Sequence, residues 1–205
     1  MQLAGSPSWR ISEDRWPESF DWALWVRAAE RIDVASGGVV PGPADFEPLP
    51  DPSTDPPDAA ELAAGWLAWW QSLTEMPPLS PPFHRSHPPG VMAFSPPGFP
   101  GLAGWPVLRR VVADRWREAH HWHTARMNAG LEAGAHRDMR TGRVVAQLER
   151  ELGRKARPFS LEFVLLPVRD DQVRPIGPGR YLVPERVYDG PQWPELLRTL
   201  LIPHA

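Results

Sequence analysis

The chain has 205 residues, enough for one domain with a hydrophobic core and too few for two domains of ordinary size, so we expect a single domain over residues 1–205. It has no cysteine, which excludes disulfides and cysteine-ligated metal sites, and no apolar run approaches the length of a membrane helix, about 20 residues. The net charge is only −3 but unevenly spread: residues 1–76 hold 4 arginines against 13 acids, whereas residues 109–157 hold 12 basic residues against 6 acids.

The first predicted helix runs from Pro17 to Ile32. Its apolar residues recur at helical spacing, and proline suits a first helical turn. The next part of the chain has the opposite character, with seven prolines between Val39 and Pro57 and acids among them. Such a composition cannot sustain a helix, so residues 35–57 are predicted to form an extended linker within the domain.

The second predicted helix begins with a capping pattern. Asp58 can cap it, and Glu61 three residues later completes a pair resembling a capping box. A broad apolar face rich in tryptophan follows, and Pro77 and Pro78 end the run. Such a stripe is more typical of a core than of a ligand platform. Its members are Leu62, Trp66, Trp69, Trp70 and Leu73.

A second segment rich in proline and glycine separates this helix from the next. Unlike residues 35–57 it carries several large apolar side chains, so we expect much of it to be ordered and packed against the helices. These side chains are Phe83, Val91, Met92, Phe94, Phe99, Leu102 and Trp105.

The rest of the chain predicts two more helices, two strands and a short last helix. The helices run from Pro106 to Leu131 and from Thr141 to Lys155. The strands, Phe159–Val168 and Arg180–Asp189, are expected to pair antiparallel across a short loop, and the last helix covers Pro194–Leu201. The predicted fold is therefore α+β and mainly α, with four to five helices, ordered Pro/Gly-rich connections and a C-terminal antiparallel β-hairpin.

Three of the seven histidines fall within four positions of the third helix. Residues three, four and seven apart share a helix face, which places His120 and His123 with the apolar residues and His121 on the polar side. The three imidazoles therefore cannot bind one metal ion from a regular helix.

The sequence allows two interpretations of His120 and His123, the pair on the apolar face. His84 and His87 have the same spacing as His120 and His123, so four imidazole ligands for zinc are available, and a site with one water would be hydrolytic. Alternatively, His120 and His123 are packed residues, each hydrogen-bonded through one ring nitrogen. We favour the second interpretation, with no cofactor, and keep zinc as the alternative.

No motif identifies a reaction. The chain lacks a phosphate-binding loop, a GxGxxG fingerprint, an HExxH zinc motif and a GxSxG nucleophile elbow. We accordingly assign no catalytic and no cofactor-binding residue and favour a protein that is not an enzyme.

The leading hypothesis is a non-enzymatic cytoplasmic adaptor or structural subunit of a larger bacterial assembly. It is based on 11 tryptophans, long aromatic-bearing connections and a polarised charge, with Trp66, Trp70, Phe94 and Phe99 as candidate interaction residues. The alternatives are a metal-dependent enzyme with zinc or iron bound by His84, His87, His120 and His123, and a nucleic-acid-binding regulator. Nucleic acid is disfavoured because acids are interleaved with the basic residues.

Composition also suggests a source and a compartment. Lys155 is the only lysine among 22 basic residues, and such a preference for arginine is typical of GC-rich genomes, so we expect a high-GC bacterium. The N-terminal residues lack the basic and apolar regions of a signal peptide, which predicts a cytoplasmic protein. The adaptor hypothesis adds a protein partner.

Overall fold

The computed structural model describes residues 9–54, 58–77, 92–134 and 140–204. Within these ranges the chain forms mostly helices, together with a four-stranded sheet. The predicted α+β class, mainly α with a C-terminal antiparallel hairpin, is confirmed. The helices are α1 (Glu18–Ala29), α2 (Ala59–Glu75), α3 (Pro106–Glu132), α4 (Arg140–Leu152), α5 (Glu185–Tyr188) and α6 (Trp193–Leu201). The strands are β1 (Arg10–Asp14), β2 (Ser160–Leu166), β3 (Arg174–Gly177) and β4 (Arg180–Pro184).

The sheet is mostly parallel, with strand order β1-β2-β4-β3. Both β1 and β4 run parallel to β2, and only β3 is antiparallel, to β4. The expected antiparallel pairing of the strands at 159–168 and 180–189 is therefore wrong. The reason is that part of the supposed loop is itself a strand: β3 reverses the chain, so β4 returns in the direction of β2.

Two further elements differ from the prediction. The strand expected over Arg180–Asp189 ends at Pro184, and α5 occupies the next four residues. The sequence analysis missed β1 altogether. Its residues are mixed polar and apolar, and its pairing partner lies 150 positions away, with Arg10 opposite Ser160.

The hydrophobic core has two parts, one on each face of the sheet. Successive side chains of a strand point to opposite faces, and those of β2 divide accordingly: Val164 and Leu166 pack with α1, α2 and α3, whereas Phe163 and Leu165 pack with α4 and α6. Burial of apolar surface on both faces thus holds the helices against the sheet.

The tryptophan stripe of α2 lies in the first of these cores. As predicted, Asp58 caps the helix, its Oδ1 accepting the Glu61 N–H at 2.7 Å. The indole N–H of Trp66 donates to the Ala23 carbonyl and that of Trp70 to the Val39 carbonyl, both at 2.8 Å. These bonds satisfy buried polar groups and attach α2 to α1 and to the proline-rich segment.

The described part of the predicted linker, residues 35–54, contains no helix and lies against the sheet. Ala44 forms a bridge with Val168, and the Asp45 N–H donates to the Pro167 carbonyl at 2.7 Å. Residues 55–57 lie outside the described ranges. None of the helices in the described residues is both long and apolar enough to span a membrane.

Candidate functional site

The candidate interaction residues lie in the interior. Trp66, Trp70 and Phe99 are completely buried, and Phe94 is 7% exposed. Trp66 and Trp70 stack on each other, with ring centroids 5.2 Å apart, and Trp69 contacts Phe94. Their side chains are therefore occupied by intramolecular packing in this conformation.

The acidic and basic halves of the chain meet along the contact between α1 and α3. Arg115 pairs with Glu30 at 2.7 Å, and Arg126 pairs with Asp21 at 2.7 Å. Two basic residues of α3 thus pair with acids of the N-terminal half.

Helix α3 separates its histidines as helical spacing requires. His121 is exposed, and His123 is buried. His120 lies between these extremes: its side chain is 49% exposed but contacts the rings of Trp22 and Trp116. The described residues hold His120 and His123 side by side, with ring centroids 6.4 Å apart.

A buried carboxylate orients His123. The Nδ1 atom of His123 lies 2.7 Å from Oδ2 of Asp21, and the same oxygen accepts from Nη1 of Arg126 at 2.7 Å. Asp21 is completely buried, and its Oδ1 has no hydrogen-bond partner among the described residues. Burial raises the pKa of Asp21, although His123 and Arg126 act in the opposite direction.

A second carboxylate–imidazole pair lies beside the first. Nδ1 of His120 is 3.1 Å from Oε1 of Glu18. Glu18 and Asp21 are three residues apart on α1, just as His120 and His123 are on α3, so the two pairs are one helical turn apart. A neutral imidazole whose Nδ1 donates to a carboxylate carries its lone pair on Nε2. No partner for either Nε2 occurs in the part of the chain that the structure describes.

These pairs border the carboxyl edge of the parallel strands. Asp14 ends β1 and Glu185 follows β4, and Arg126 donates to Glu185 and to the Arg15 carbonyl. Burial raises the pKa of both Asp14 and Glu185. In open α/β sheets the carboxyl edge is the usual place for ligands, so the position suits a functional site.

Two members of the predicted four-histidine set, His120 and His123, lie in the described part of the chain. His84 and His87 lie outside the described residues. Among the described residues no group of three or more His, Asp or Glu side chains is arranged to hold a metal ion. His120 and His123 therefore supply at most part of a metal site. That His84 and His87 bind the same ion stays a prediction.

Sequence reasoning missed the acids that organise this site. Glu18, Asp21 and Glu185 look like ordinary surface residues near helix starts. One signal was present: the three-residue spacing of Glu18 and Asp21 repeats that of His120 and His123, as expected of two facing helices.

Comparisons with protein-family models, curated proteins and solved structures found no match for this chain.

Proposed function

We propose that this protein is a metal-dependent enzyme in which His120 and His123 bind a divalent transition metal through Nε2. One observation supports the proposal: each imidazole is held at Nδ1 by its own carboxylate, Glu18 or Asp21. Histidines that bind metals almost always donate their other ring N–H to a carboxylate, a carbonyl or water, which fixes the tautomer and raises ligand basicity.

The proposal requires a movement of His120. Two imidazoles bound to one tetrahedral ion have ring centroids roughly 5 Å apart, whereas the centroids of His120 and His123 are 6.4 Å apart. His123 is held in the interior, whereas His120 and its partner Glu18 are both half exposed, so this pair can shift together toward His123 and keep its Nδ1 contact. The remaining ligands in the proposal are water and the sequence pair His84 and His87. A metal-bound water has a lowered pKa, which is the chemistry of metal hydrolases.

Cobalt(II) titration of untagged protein tests this proposal directly. A bound ion in a site of low coordination number gives visible absorption, and elemental analysis gives the stoichiometry. We expect one ion per chain, with His123→Ala abolishing binding and Glu18→Gln weakening it by about 10- to 100-fold. Trp22 and Trp116 contact His120, so their fluorescence should change on binding.

The matched control is His121→Ala, because His121 lies on the same helix but is exposed and outside the pair. It should bind cobalt as the parent does. Equal binding by the parent and His123→Ala, or no binding to either, contradicts the proposal. The variants His84→Ala and His87→Ala then decide whether the second sequence pair contributes.

A second candidate is the cytoplasmic adaptor or assembly subunit. A different observation favours it: Leu152, at the end of α4, is 44% exposed, and Ile202, directly after α6, is 55% exposed. Leu152 and Leu201 line the same small cavity, and Ile202 follows Leu201 in the chain. Co-purification from the native host tests this role: Leu152→Asp and Ile202→Asp should each lose a partner that the parent retains.

A further inference from the structure

A concave region lies away from the histidines, between the end of α1, the segment at 32–49 and the chain that follows β2. It encloses a cavity of about 520 Å³, within the range of small-molecule sites, roughly 300 to 1,000 Å³. Three of its charged lining residues are arginines. The lining includes Arg27, Arg31, Asp33, Glu47, Leu49 and Arg169.

The walls of this cavity are fixed by backbone contacts. The Arg169 N–H donates to the Pro43 carbonyl, and the Gly42 N–H donates to Oδ2 of Asp170, both at 2.8 Å. Gly42 also packs so closely that a Cβ atom there would lie 2.6 Å from the Arg169 carbonyl oxygen. The segment at 32–49 is therefore held against the end of β2, and these contacts fix the shape of the cavity.

The three arginines that line the cavity differ in their partners. Arg169 is paired with two carboxylates, because its Nε lies 3.0 Å from Asp45 and its Nη2 lies 2.8 Å from Glu47. Arg27 and Arg31 share the lining with Asp33, and these three residues have a balance of +1. Neither arginine forms an ion pair within the described residues.

These two guanidinium groups are held by carbonyl oxygens instead. Arg27 is buried, donates to the Pro41 and Val34 carbonyls at 2.9 and 3.0 Å, and lies over the Trp66 ring. Arg31 donates to the Pro50 carbonyl at 3.0 Å. Carbonyls fix the position of a cation without cancelling its charge. Burial accordingly lowers the pKa of Arg27.

We propose that this cavity binds a small organic monocarboxylate, with its carboxylate toward Arg27 and Arg31 and an apolar body against the remaining lining. A single negative charge matches the local balance of +1, and arginine is well suited to carboxylate recognition. The apolar part of the lining comprises Ala28, Ile32, Val34, Ala44 and Leu49. Leu49 is 46% exposed, and a ligand in the cavity would cover it. This site is independent of the proposed metal site.

Isothermal titration with matched probe pairs tests the proposal. Phenylacetate and hexanoate carry the required charge, and phenylacetamide and hexanamide are their neutral counterparts. We expect 1:1 binding of at least one carboxylate, with its amide about tenfold weaker or more, because a charge-assisted hydrogen bond contributes more than a neutral one.

Variants locate the binding site without relying on the buried Arg27. Arg31→Gln removes a cation from an exposed position, and Leu49→Glu adds an opposing charge at the rim; each should weaken carboxylate binding by about tenfold or more. Arg186→Gln, an exposed arginine outside the cavity, is the control and should bind as the parent does. Absence of carboxylate binding, equal binding of the amides, or unchanged binding in both cavity variants overturns the proposal.

Discussion

Asp21 and His123 face each other across the α1–α3 contact, with Oδ2 of the carboxylate 2.7 Å from Nδ1 of the imidazole and both side chains buried. Arg126 approaches the same oxygen, so a single carboxylate joins two positively polarised groups of α3 to α1. One turn earlier, Glu18 and His120 form an equivalent pair in which both side chains are half exposed. The two pairs thus have the same chemistry and differ in solvent access.

This difference predicts unequal contributions to stability. Asp21→Ala leaves Arg126 and His123 without their buried partner and should lower the free energy of unfolding by about 3–5 kcal/mol. Glu18→Ala removes a partner of His120 at a solvated position and should cost at most about 1 kcal/mol. Urea denaturation at neutral pH measures both. Similar losses in the two variants would show that burial does not determine the strength of these pairs.

Asp14 should make the fold less stable as the pH rises. Burial raises its pKa above the ordinary value of 3.8, so between that value and its pKa in the fold the folded state holds a proton that the unfolded state has lost. Stability therefore falls with increasing pH across this window. Asp14→Asn cannot ionise, so its free energy of unfolding relative to the parent should increase between about pH 4 and about pH 8. A constant difference across the pH series contradicts the expectation.

Asp170 should have the opposite pH dependence. Its pKa lies below 3.8 because hydrogen bonds from Arg174 and from the Gln172 and Gly42 N–H groups outweigh the effect of burial. The carboxylate therefore stabilises the fold above that value, and the contribution is lost as the pH falls through its pKa in the folded state. Asp170→Asn should cost about 1.5–3 kcal/mol at neutral pH and progressively less in acid. Asp171→Asn is the control, because the neighbouring side chain is 74% exposed.

Two glycines should respond oppositely to alanine. Gly179 joins β3 to β4 with φ +69°, and a Cβ atom there would lie 2.5 Å from the Ser160 carbonyl oxygen. Gly179→Ala should therefore cost more than about 1 kcal/mol. Gly142 lies in α4 with open space around its Cβ position. Gly142→Ala should raise stability by about 0.5–1 kcal/mol, because alanine loses less backbone entropy in a helix. Thermal unfolding of the two variants checks both signs.

Local pattern was sufficient to predict most helices. Asp58 and Glu61 mark the start of α2 because a cap depends on residues three positions apart, and apolar periodicity defines α3 to within one residue of its observed end. The same helical geometry predicts that His123 faces the interior and His121 faces solvent. These features depend on residues only a few positions apart, so they can be predicted from the sequence.

Strand pairing and the polar site depend on distant partners. The direction of β4 relative to β2 is decided by β3, a short strand that resembles a loop in sequence, and β1 pairs with residues 150 positions away. The partner of His123 is likewise 102 residues away, on a helix whose acids look like surface residues.

The sequence by itself determined most of the helices, their amphipathic faces and the inward direction of His123, because each of these depends on spacing along a helix. Tertiary structure alone decided that His123 meets the carboxylate of Asp21. It also decided that Arg27 and Arg31 line a cavity. The physical reason is that burial and charge pairing depend on which distant surfaces the chain brings together, and local periodicity does not specify those surfaces.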